Sequence, residues 1–376
     1  MIKKILVSIL FFFLLGNNFL RSQEFIEQRD DYTNQLFSYK KKTQKLNNIP
    51  LKDSDIDNIL LIKVKGSYYE RIYDKGVSVK WFGAKGDGIA DDTQAIQKAI
   101  NAVSNLYPVI NMTGGNWQGG GEVYLPKGKY KITKTLVLKH AISLVGESRT
   151  ASQIHCENPI IAITNIYGME GANVLMANSI TIKDLLITQG TVELQGAYNS
   201  LVENCTIMNL FGNAPNALII RLSVALRIHN VKIHNVSGVG VLFEDTAGSG
   251  PSTTVLLDNV WASHCNIGLL INGNSGGSHE IITTNVINSI FEYNKTGVLL
   301  KGNLSNISFR NIHFEQNSIS SIETKDTFKN IVLDNVWCDP VGDINVNGTS
   351  ASSISISNSK CTVSSNKFSG KLMNQK

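Results

Sequence analysis

A parallel β-helix with an N-terminal capping α-helix is the fold that this sequence of 376 residues predicts. Three observations predict it: asparagines that recur every 23 to 29 residues, apolar columns at fixed distances from each asparagine, and a glycine-rich loop followed by an amphipathic helix. A repeat of roughly 20 to 30 residues with alternating apolar positions is typical of a β-solenoid, whose coils bury their apolar side chains against each other.

The first 23 residues are predicted to be a signal peptide. Two lysines precede the apolar run 5–16, which is too short to span a bilayer comfortably, and Ser22 is a small residue at the expected cleavage point. An uncleaved anchor is the alternative, because Leu20 fits the small-residue rule poorly. No later segment is apolar enough to cross a membrane, so we expect a mature protein that is secreted, periplasmic or at the cell surface.

Charge and cysteine content exclude some functions. The formal net charge is +5, and the first 23 residues contribute three cationic residues and no acidic one, which leaves +2 for the remainder. This charge is too small to predict nucleic-acid binding. The five cysteines are odd in number and show no C-x-x-C spacing, so we predict buried thiols rather than a disulfide framework or a zinc site.

Four segments follow from composition. After the signal peptide 1–23, residues 24–65 are polar and rich in Lys and Asn, and they predict a linker with marginal helix. Residues 66–362 are predicted to form the β-helix. Residues 363–376 are predicted to be a basic, solvated C-terminal tail.

A glycine-rich loop and an amphipathic helix lie in the stretch FGAKGDGIADDTQAIQKAINAV, residues 82–103. Asp91 and Gln94 have the spacing of a capping box. Such a helix would cover the first coil of a solenoid, which otherwise exposes unpaired backbone and its apolar interior. The apolar residues that share one helical face are Ile96, Ala99, Ile100 and Val103.

Three motifs carry a resemblance to a known family. FGAKGDGIADDTQAIQKAI, then GGGEVYLPKGKYKI (119–132) and LVGES (144–148), closely resemble the opening of the rhamnogalacturonase/epimerase-type pectate-lyase-like family. The resemblance covers residues 77–150. It implies an all-β, single-stranded right-handed parallel β-helix, a fold found in polysaccharide lyases, glycoside hydrolases, epimerases and viral tail spikes. The matching residues are loop glycines and a cap, so they are specific for the fold rather than for a reaction.

Beyond residue 150, the repeat alone carries the prediction. Apolar or small residues occupy positions −2, +1 and +3 relative to each asparagine, with alternation inside each strand. Asparagine suits a bend because it tolerates a left-handed φ and its amide can bond to the neighbouring coils. The predicted asparagine ladder comprises Asn204, Asn230, Asn259, Asn288, Asn311 and Asn335.

The outward face that follows the glycine of each repeat carries a mixed row of charges. Such a row suits a lyase, which neutralises a substrate carboxylate, abstracts the neighbouring proton and stabilises the resulting charge with Arg, Lys or Ca²⁺. Ca²⁺ is therefore the one cofactor considered, without a predicted ligand set. The alternative is a solvated face of alternating charges. The catalytic candidates are Arg221, Glu244, Asp245 and Lys301, and Asn272 is a substrate-binding candidate.

The outward face that follows the asparagine carries acids and aromatic rings. Glu292 and Glu315 lie on neighbouring coils, about 5 Å apart if the coils stack, which is the separation used by retaining glycosidases. The alternative is that both are solvated ends of ordinary strands. The substrate-binding candidates on this face are His234, Trp261, His313, Trp337 and Asp339.

The predicted function is a secreted polysaccharide lyase or glycoside hydrolase that acts on an acidic, uronate-containing polysaccharide. The polygalacturonase-type motifs N-T-D, G-H-G and R-I-K are not found. A non-catalytic glycan-binding or adhesion β-helix and a tail-spike-like structural protein therefore stay open. The sequence does not separate elimination, hydrolysis and epimerisation, nor a monomer from a trimer.

Overall fold

The protein is a parallel β-helix preceded by a small antiparallel sheet. The computed structural model describes residues 24–112, 116–165, 168–170, 173–175, 177–209, 215–245, 252–273, 280–339, 343–350 and 352–375. One α-helix, α1 (Thr93–Leu106), and three 3-10 helices (Leu46–Asn48, Asp53–Asp55 and Val79–Phe82) occur in these residues. The predicted signal peptide lies outside them. Within them, no helix has the length and apolar character needed to cross a bilayer.

Most strands pair in parallel and build the solenoid, whereas the first four strands and two short strand pairs are antiparallel. In chain order the strands are β1 (Phe25–Arg29), β2 (Leu36–Lys42), β3 (Leu61–Val64), β4 (Ser67–Arg71), β5 (Val77–Ser78), β6 (Asp87–Asp91), β7 (Ile110–Met112), β8 (Asn116–Gln118), β9 (Gly121–Leu125), β10 (Gly128–Ile132), β11 (Leu136–Leu138), β12 (Ile142–Gly146), β13 (Ser152–Asn165), β14 (Gly168–Glu170), β15 (Asn173–Leu175), β16 (Ala177–Asn178), β17 (Thr181–Lys183), β18 (Leu186–Gln195), β19 (Ala197–Tyr198), β20 (Leu201–Glu203), β21 (Thr206–Met208), β22 (Asn216–Arg221), β23 (Arg227–Glu244), β24 (Ser252–Asn272), β25 (Ile281–Ile287), β26 (Ile290–Glu292), β27 (Thr296–Lys301), β28 (Leu304–Glu315), β29 (Ser320–Thr324), β30 (Phe328–Cys338), β31 (Ile344–Gly348), β32 (Ser353–Ser357), β33 (Val363–Phe368) and β34 (Lys371–Gln375).

Each coil contributes to three parallel sheets. Sheet 1 precedes the asparagine, sheet 2 follows it, and sheet 3 contains the strand that begins near the glycine. In β24 these are residues 256–258, 260–263 and 267–272. The next coil adds β25, β26 and β27 in the same register.

Three columns of bends separate the sheets, and their non-glycine residues have left-handed φ angles. Bend A is the predicted asparagine ladder between sheets 1 and 2, with φ between 50° and 56°. Bend B lies five residues earlier and bend C five residues later. The left-handed residues of bend C are Gln189, Asn235, His264, Tyr293 and Gln316, with φ between 52° and 63°. This conformation costs most L-residues about 1–2 kcal/mol and asparagine less.

The side chains of the ladder bond to one another. The Asn230 amide donates to Asn204 (3.1 Å), Asn311 to Asn288 (3.1 Å), and Asn335 to Asn311 (2.8 Å). Asn288 instead donates to the Asp258 carboxylate. The six asparagines therefore stack vertically, as the repeat predicts.

The predicted interior columns are buried. All eighteen residues at positions −2, +1 and +3 of the six repeats are at most 6 % exposed. Phe291 and Phe314 stack on adjacent coils with ring centroids 5.7 Å apart. Burial of each large apolar side chain stabilises the fold by about 1.5–3 kcal/mol, and this burial holds the coils in register.

Helix α1 covers the first coil with the predicted apolar face, which is buried. The predicted capping box is wrong. The Asp91 carboxylate accepts the backbone N–H of Thr93 (3.0 Å), two residues on, with no bond to Gln94. The Asp92 carboxylate accepts the N–H groups of Lys85 and Gly86, so it fixes the glycine-rich loop instead of capping the helix.

Residues 24–65 do not form the predicted linker with marginal helix. Strands β1 to β4 form an antiparallel sheet in the order β1-β2-β4-β3, with a small core of Tyr39, Ile62 and Tyr69. The buried Arg71 pairs with Asp30 at 2.7 Å, and its guanidinium lies over the Trp81 ring at 4.3 Å. These contacts join the sheet to the start of the solenoid.

The C-terminal end also differs from the prediction. Residues 363–375 form β33 and β34, which pair with β31 and β32 and continue the solenoid instead of forming a solvated tail. Cys338 and Cys361 form a disulfide, contrary to the expectation that all five thiols are free. Cys156, Cys205 and Cys265 are buried free thiols, as expected.

Candidate functional site

The outer face of sheet 2 brings the predicted acids and aromatic rings into two aligned columns. In the +2 column, the backbone pairs Lys232 with Trp261, Trp261 with Ile290, Ile290 with His313, and His313 with Trp337. The +4 column pairs His234, Ser263, Glu292 and Glu315 in turn. Asp339 follows on the next coil, where its N–H donates to the Phe314 carbonyl.

Glu292 and Glu315 are direct neighbours across two coils. The indole N–H of Trp261 donates to Glu292 Oε1 at 2.9 Å, which fixes the orientation of that carboxylate. Glu315 Oε2 lies 3.6 Å from His313 Nε2. The strand separation within a sheet is about 4.8 Å, so both carboxylates can face one bond of a chain laid along the axis.

The two tryptophans of this face differ in their availability. Trp337 is 41 % exposed, and His313 meets it edge-on with ring centroids 4.4 Å apart. The Lys232 ammonium lies over the Trp261 ring at 4.6 Å. The Trp337 ring is therefore accessible to solvent, whereas the Trp261 ring is engaged by Glu292 and Lys232.

His234 extends the face on the N-terminal side of Ser263. Its Nδ1 lies 2.7 Å from Ser263 Oγ, and its ring meets that of His264 edge-on at 4.7 Å. Burial, followed by the neighbouring His264, lowers the pKa of His234. The imidazole is therefore held neutral to a lower pH than a free histidine, and it can accept or donate a hydrogen bond.

A cleft of about 450 Å³ opens beside sheet 2 at bend C. The rings of His264 and Tyr293 stack there with centroids 5.2 Å apart, and Lys295 and Gln316 complete its outer lining. The sequence reasoning stopped at position +4 and missed these residues. Continuing the repeat count by one position, to +5, would have placed His264, Tyr293 and Gln316 in one column.

The outer face of sheet 3 holds the other predicted row. Arg221, Glu244, Asn272 and Lys301 are in register on successive coils. Arg221 bonds to Glu193 and to Glu244, the latter at 2.6 Å. The Arg221 guanidinium is therefore paired with a carboxylate on the coil before it, Glu193, and with one on the coil after it, Glu244.

Two more features distinguish sheet 3 from sheet 2. Asp245 is 5 % exposed and lies at the end of the strand, away from an open surface. The column beside the charged row is apolar and half-buried or buried, and it consists of Ile219, Leu242, Leu270 and Leu299. An apolar row with internally paired charges offers fewer groups to a polar sugar than sheet 2 does.

In the part of the chain that the structure describes, no three His, Cys, Asp or Glu side chains converge on a point where a metal ion could bind. Two loops that follow strands of sheet 3, residues 246–251 and 274–279, lie outside the described part of the chain.

Comparison with known proteins gives a family match. The model of the family described as "Rhamnogalacturonase A/epimerase, pectate lyase-like" matches residues 76–322. This range includes β5 to β28, and it contains both carboxylates of sheet 2.

Individual relatives cover less of the chain. "Plasmin and fibronectin-binding protein A" of Streptococcus pneumoniae is 33 % identical over 50 % of this chain and 24 % of its own length. "Alginate lyase 7" of Azotobacter vinelandii is 41 % identical over 18 % of this chain and 8 % of its own. This chain thus spans a quarter or less of these curated relatives.

A solved structure supports the fold over nearly the whole chain. ORF18 of Geobacillus virus E2 superposes with a TM-score of 0.60, covering 93 % of this chain and 69 % of that one. Its sequence identity is 19 %, so this likeness concerns the fold alone.

Proposed function

Because the chain belongs to the rhamnogalacturonase A/epimerase, pectate-lyase-like family, we propose that it binds and hydrolyses an acidic polysaccharide along the outer face of sheet 2. The protein acts outside the cytoplasm, in keeping with the predicted signal peptide. Polysaccharide action is supported by relatives such as the alginate lyase, whose matching segment is short.

One observation carries the proposal: Glu292 and Glu315 are paired across adjacent coils, with Trp261 on the coil before them and Trp337 on the coil after. From Trp261 to Trp337 is three coil steps, or about 14 Å at 4.8 Å per step. A polysaccharide laid along the axis would contact both carboxylates and the exposed Trp337 ring at once.

The contacts suggest a division of roles. Glu292, oriented by the Trp261 indole, is the nucleophile that attacks the anomeric carbon, because a nucleophile must be held in a fixed position. Glu315 donates its proton to the leaving glycosidic oxygen and then accepts a proton from the water that releases the sugar. The separation of neighbouring coils favours this double displacement over an inverting reaction, which needs about 6.5–9.5 Å between carboxyl groups.

A panel of polysaccharides tests the proposal. The purified protein is incubated with polygalacturonate, alginate and hyaluronan, and with the neutral glucans laminarin and dextran. We expect new reducing ends from at least one acidic polymer, without the ultraviolet absorbance of unsaturated uronate. Absorbance would indicate elimination instead, and the absence of both products from every polymer would contradict catalysis.

A non-catalytic glycan-binding protein is the second candidate. The streptococcal relative matches half of this chain and is named for binding plasmin and fibronectin, so it favours a binding role without pointing to a glycan. The same panel separates the two functions, since retention of a polysaccharide without any product supports binding alone. Light scattering adds the oligomeric state, and a trimer would favour a spike-like assembly.

A further inference from the structure

We propose that the cleft at bend C is a specificity subsite that binds an anionic sugar residue of the polysaccharide through Tyr293, His264 and Lys295. This inference rests on the proposed function, because the cleft borders sheet 2 directly. Tyr293 follows Glu292 in the chain, and His264 follows Ser263. A sugar unit bound in the cleft therefore lies next to the sugar unit that contacts Glu292 and Glu315.

The first support is the choice of residue at a demanding backbone position. Bends A and C require the same left-handed φ, near 50–63°. Bend A has asparagine on all six coils of the ladder and Asp184 on the coil before them, whereas bend C has His264 and Tyr293 on adjacent coils. A bulky ring in this conformation is strained, and such strain concentrates at binding sites. The fold alone would favour asparagine at both bends.

The second support is that the cleft is built before any ligand binds. Asn294, 2 % exposed, donates to the Ala262 carbonyl (3.1 Å) and accepts from the Cys265 N–H (2.9 Å). Its own N–H donates to the side chain of the equally buried Asn317 at 3.1 Å. These amides fix the backbone that carries Tyr293 and Lys295 and join three coils beneath the cleft. A pre-organised subsite loses little entropy on binding.

The third support is the chemistry of the lining. The lining includes hydroxyl, amide and imidazole side chains and the exposed Lys295, and no carboxylate belongs to it. Glu292 and Glu315 precede Tyr293 and Gln316 in the chain but do not line the cleft, and Asp339 accepts a bond from Gln316 at 2.7 Å. A lining of donors with one cation is complementary to a sugar carboxylate and its hydroxyls.

Three variants of the full chain test the inference. Tyr293→Asn removes the ring and relieves the strained bend, and Lys295→Met removes the cation. Thr283→Asn is the matched control, because Thr283 has φ 53° at bend B of the same coil and is exposed away from the cleft. The probes are hexamers of galacturonate and of mannuronate, each before and after reduction of the carboxyl groups, with Kd measured by calorimetry and Tm by thermal unfolding.

We expect Tyr293→Asn to raise or preserve Tm while it weakens binding of a uronate hexamer at least tenfold. Lys295→Met should remove the preference for that hexamer over its carboxyl-reduced form. Thr283→Asn should raise Tm and leave both Kd values unchanged. If Tyr293 served only in packing, its replacement would not raise the stability while weakening the binding of a uronate hexamer.

Several results would overturn the inference: unchanged Kd values in both cleft variants, a Tm lowered by Tyr293→Asn, or no binding of either uronate hexamer to the wild type. Failure of the proposed function gives a different pattern, in which hexamers bind but no polysaccharide is cleaved. Cleavage of a polymer with hexamer binding insensitive to both cleft variants refutes the subsite alone.

Discussion

Sheets 2 and 3 are built by the same coils, yet their outer faces differ in how many polar side chains are free to contact a ligand. On sheet 3, Arg221 is bonded to two carboxylates and an apolar column runs beside it. On sheet 2, Glu292 and Glu315 are direct neighbours, so no cationic side chain stands between them in the column. The exposed Trp337 lies on the next coil. A row of charges therefore indicates a site only when its members do not neutralise one another.

The largest expected effect is on turnover, and it compares a carboxylate of sheet 2 with one of sheet 3. Glu292→Gln should lower polysaccharide turnover by at least about 100-fold, because it removes the positioned carboxylate. Glu244→Gln, the matched change on sheet 3, should leave turnover unchanged and lower Tm, since Arg221 loses a partner. Wild-type turnover in Glu292→Gln would remove the Glu292 carboxylate from the mechanism.

Arg221→Met should cause the next largest effect, on stability. The change leaves Glu193 and Glu244 facing each other without their shared cation. Loss of one partner from a buried pair costs about 3–5 kcal/mol, and we expect about 2 kcal/mol here because the Arg221 side chain is 24 % exposed. Denaturant unfolding measures the loss. A loss of turnover in a variant that stays folded would move the site to sheet 3.

Trp337→Ala should weaken substrate binding by about fivefold. An aromatic platform contributes roughly 0.5–1.5 kcal/mol beyond simple burial. The effect should appear in KM, with kcat nearly unchanged, because Trp337 contacts the chain one coil away from the carboxylates. The measurement is a steady-state comparison with the wild type, and a pure kcat effect would contradict the platform role.

The smallest expected effect concerns pH. Burial lowers the pKa of two histidines of sheet 2, His155 and His234, below the usual value of 6.5. Between the lowered pKa and 6.5 the unfolded chain binds more protons than the folded one, so stability decreases as the pH falls through 6.5. Thermal unfolding between pH 5 and 8 should show this decrease, and His234→Gln should reduce it. An identical pH profile in the variant would contradict the contribution of His234.

The sequence predicts the solenoid well because a column of asparagines and its flanking apolar columns obey a fixed period. Glu292 and Glu315 could be paired from that period alone, and the structure places them in register. The disulfide could also have been predicted from the sequence. Cys338 and Cys361 are 23 residues apart, which is the length of one coil, but counting cysteines without aligning them to the repeat hid the pair.

The regions that the sequence did not predict either bury few side chains or lack a residue type that recurs in every coil. In β2, only Tyr39 of seven residues is buried, so residues 24–65 show no clear apolar period. Bend C has a constant backbone conformation, but its residues are Asn, His, Tyr and Gln. No shared residue type marks this column, so only counting five positions on from each asparagine of the ladder places its members together.

The coils differ in length, and the difference is concentrated in one place. From Asn230 to Asn259 the chain advances 29 residues, and from Asn288 to Asn311 only 23. Seven residues separate Glu244 from Ser252 after sheet 3, whereas two separate Lys301 from Leu304. Residues added at this corner leave the register of sheet 2 unchanged, so the coil length can vary there without displacing Glu292 or Glu315.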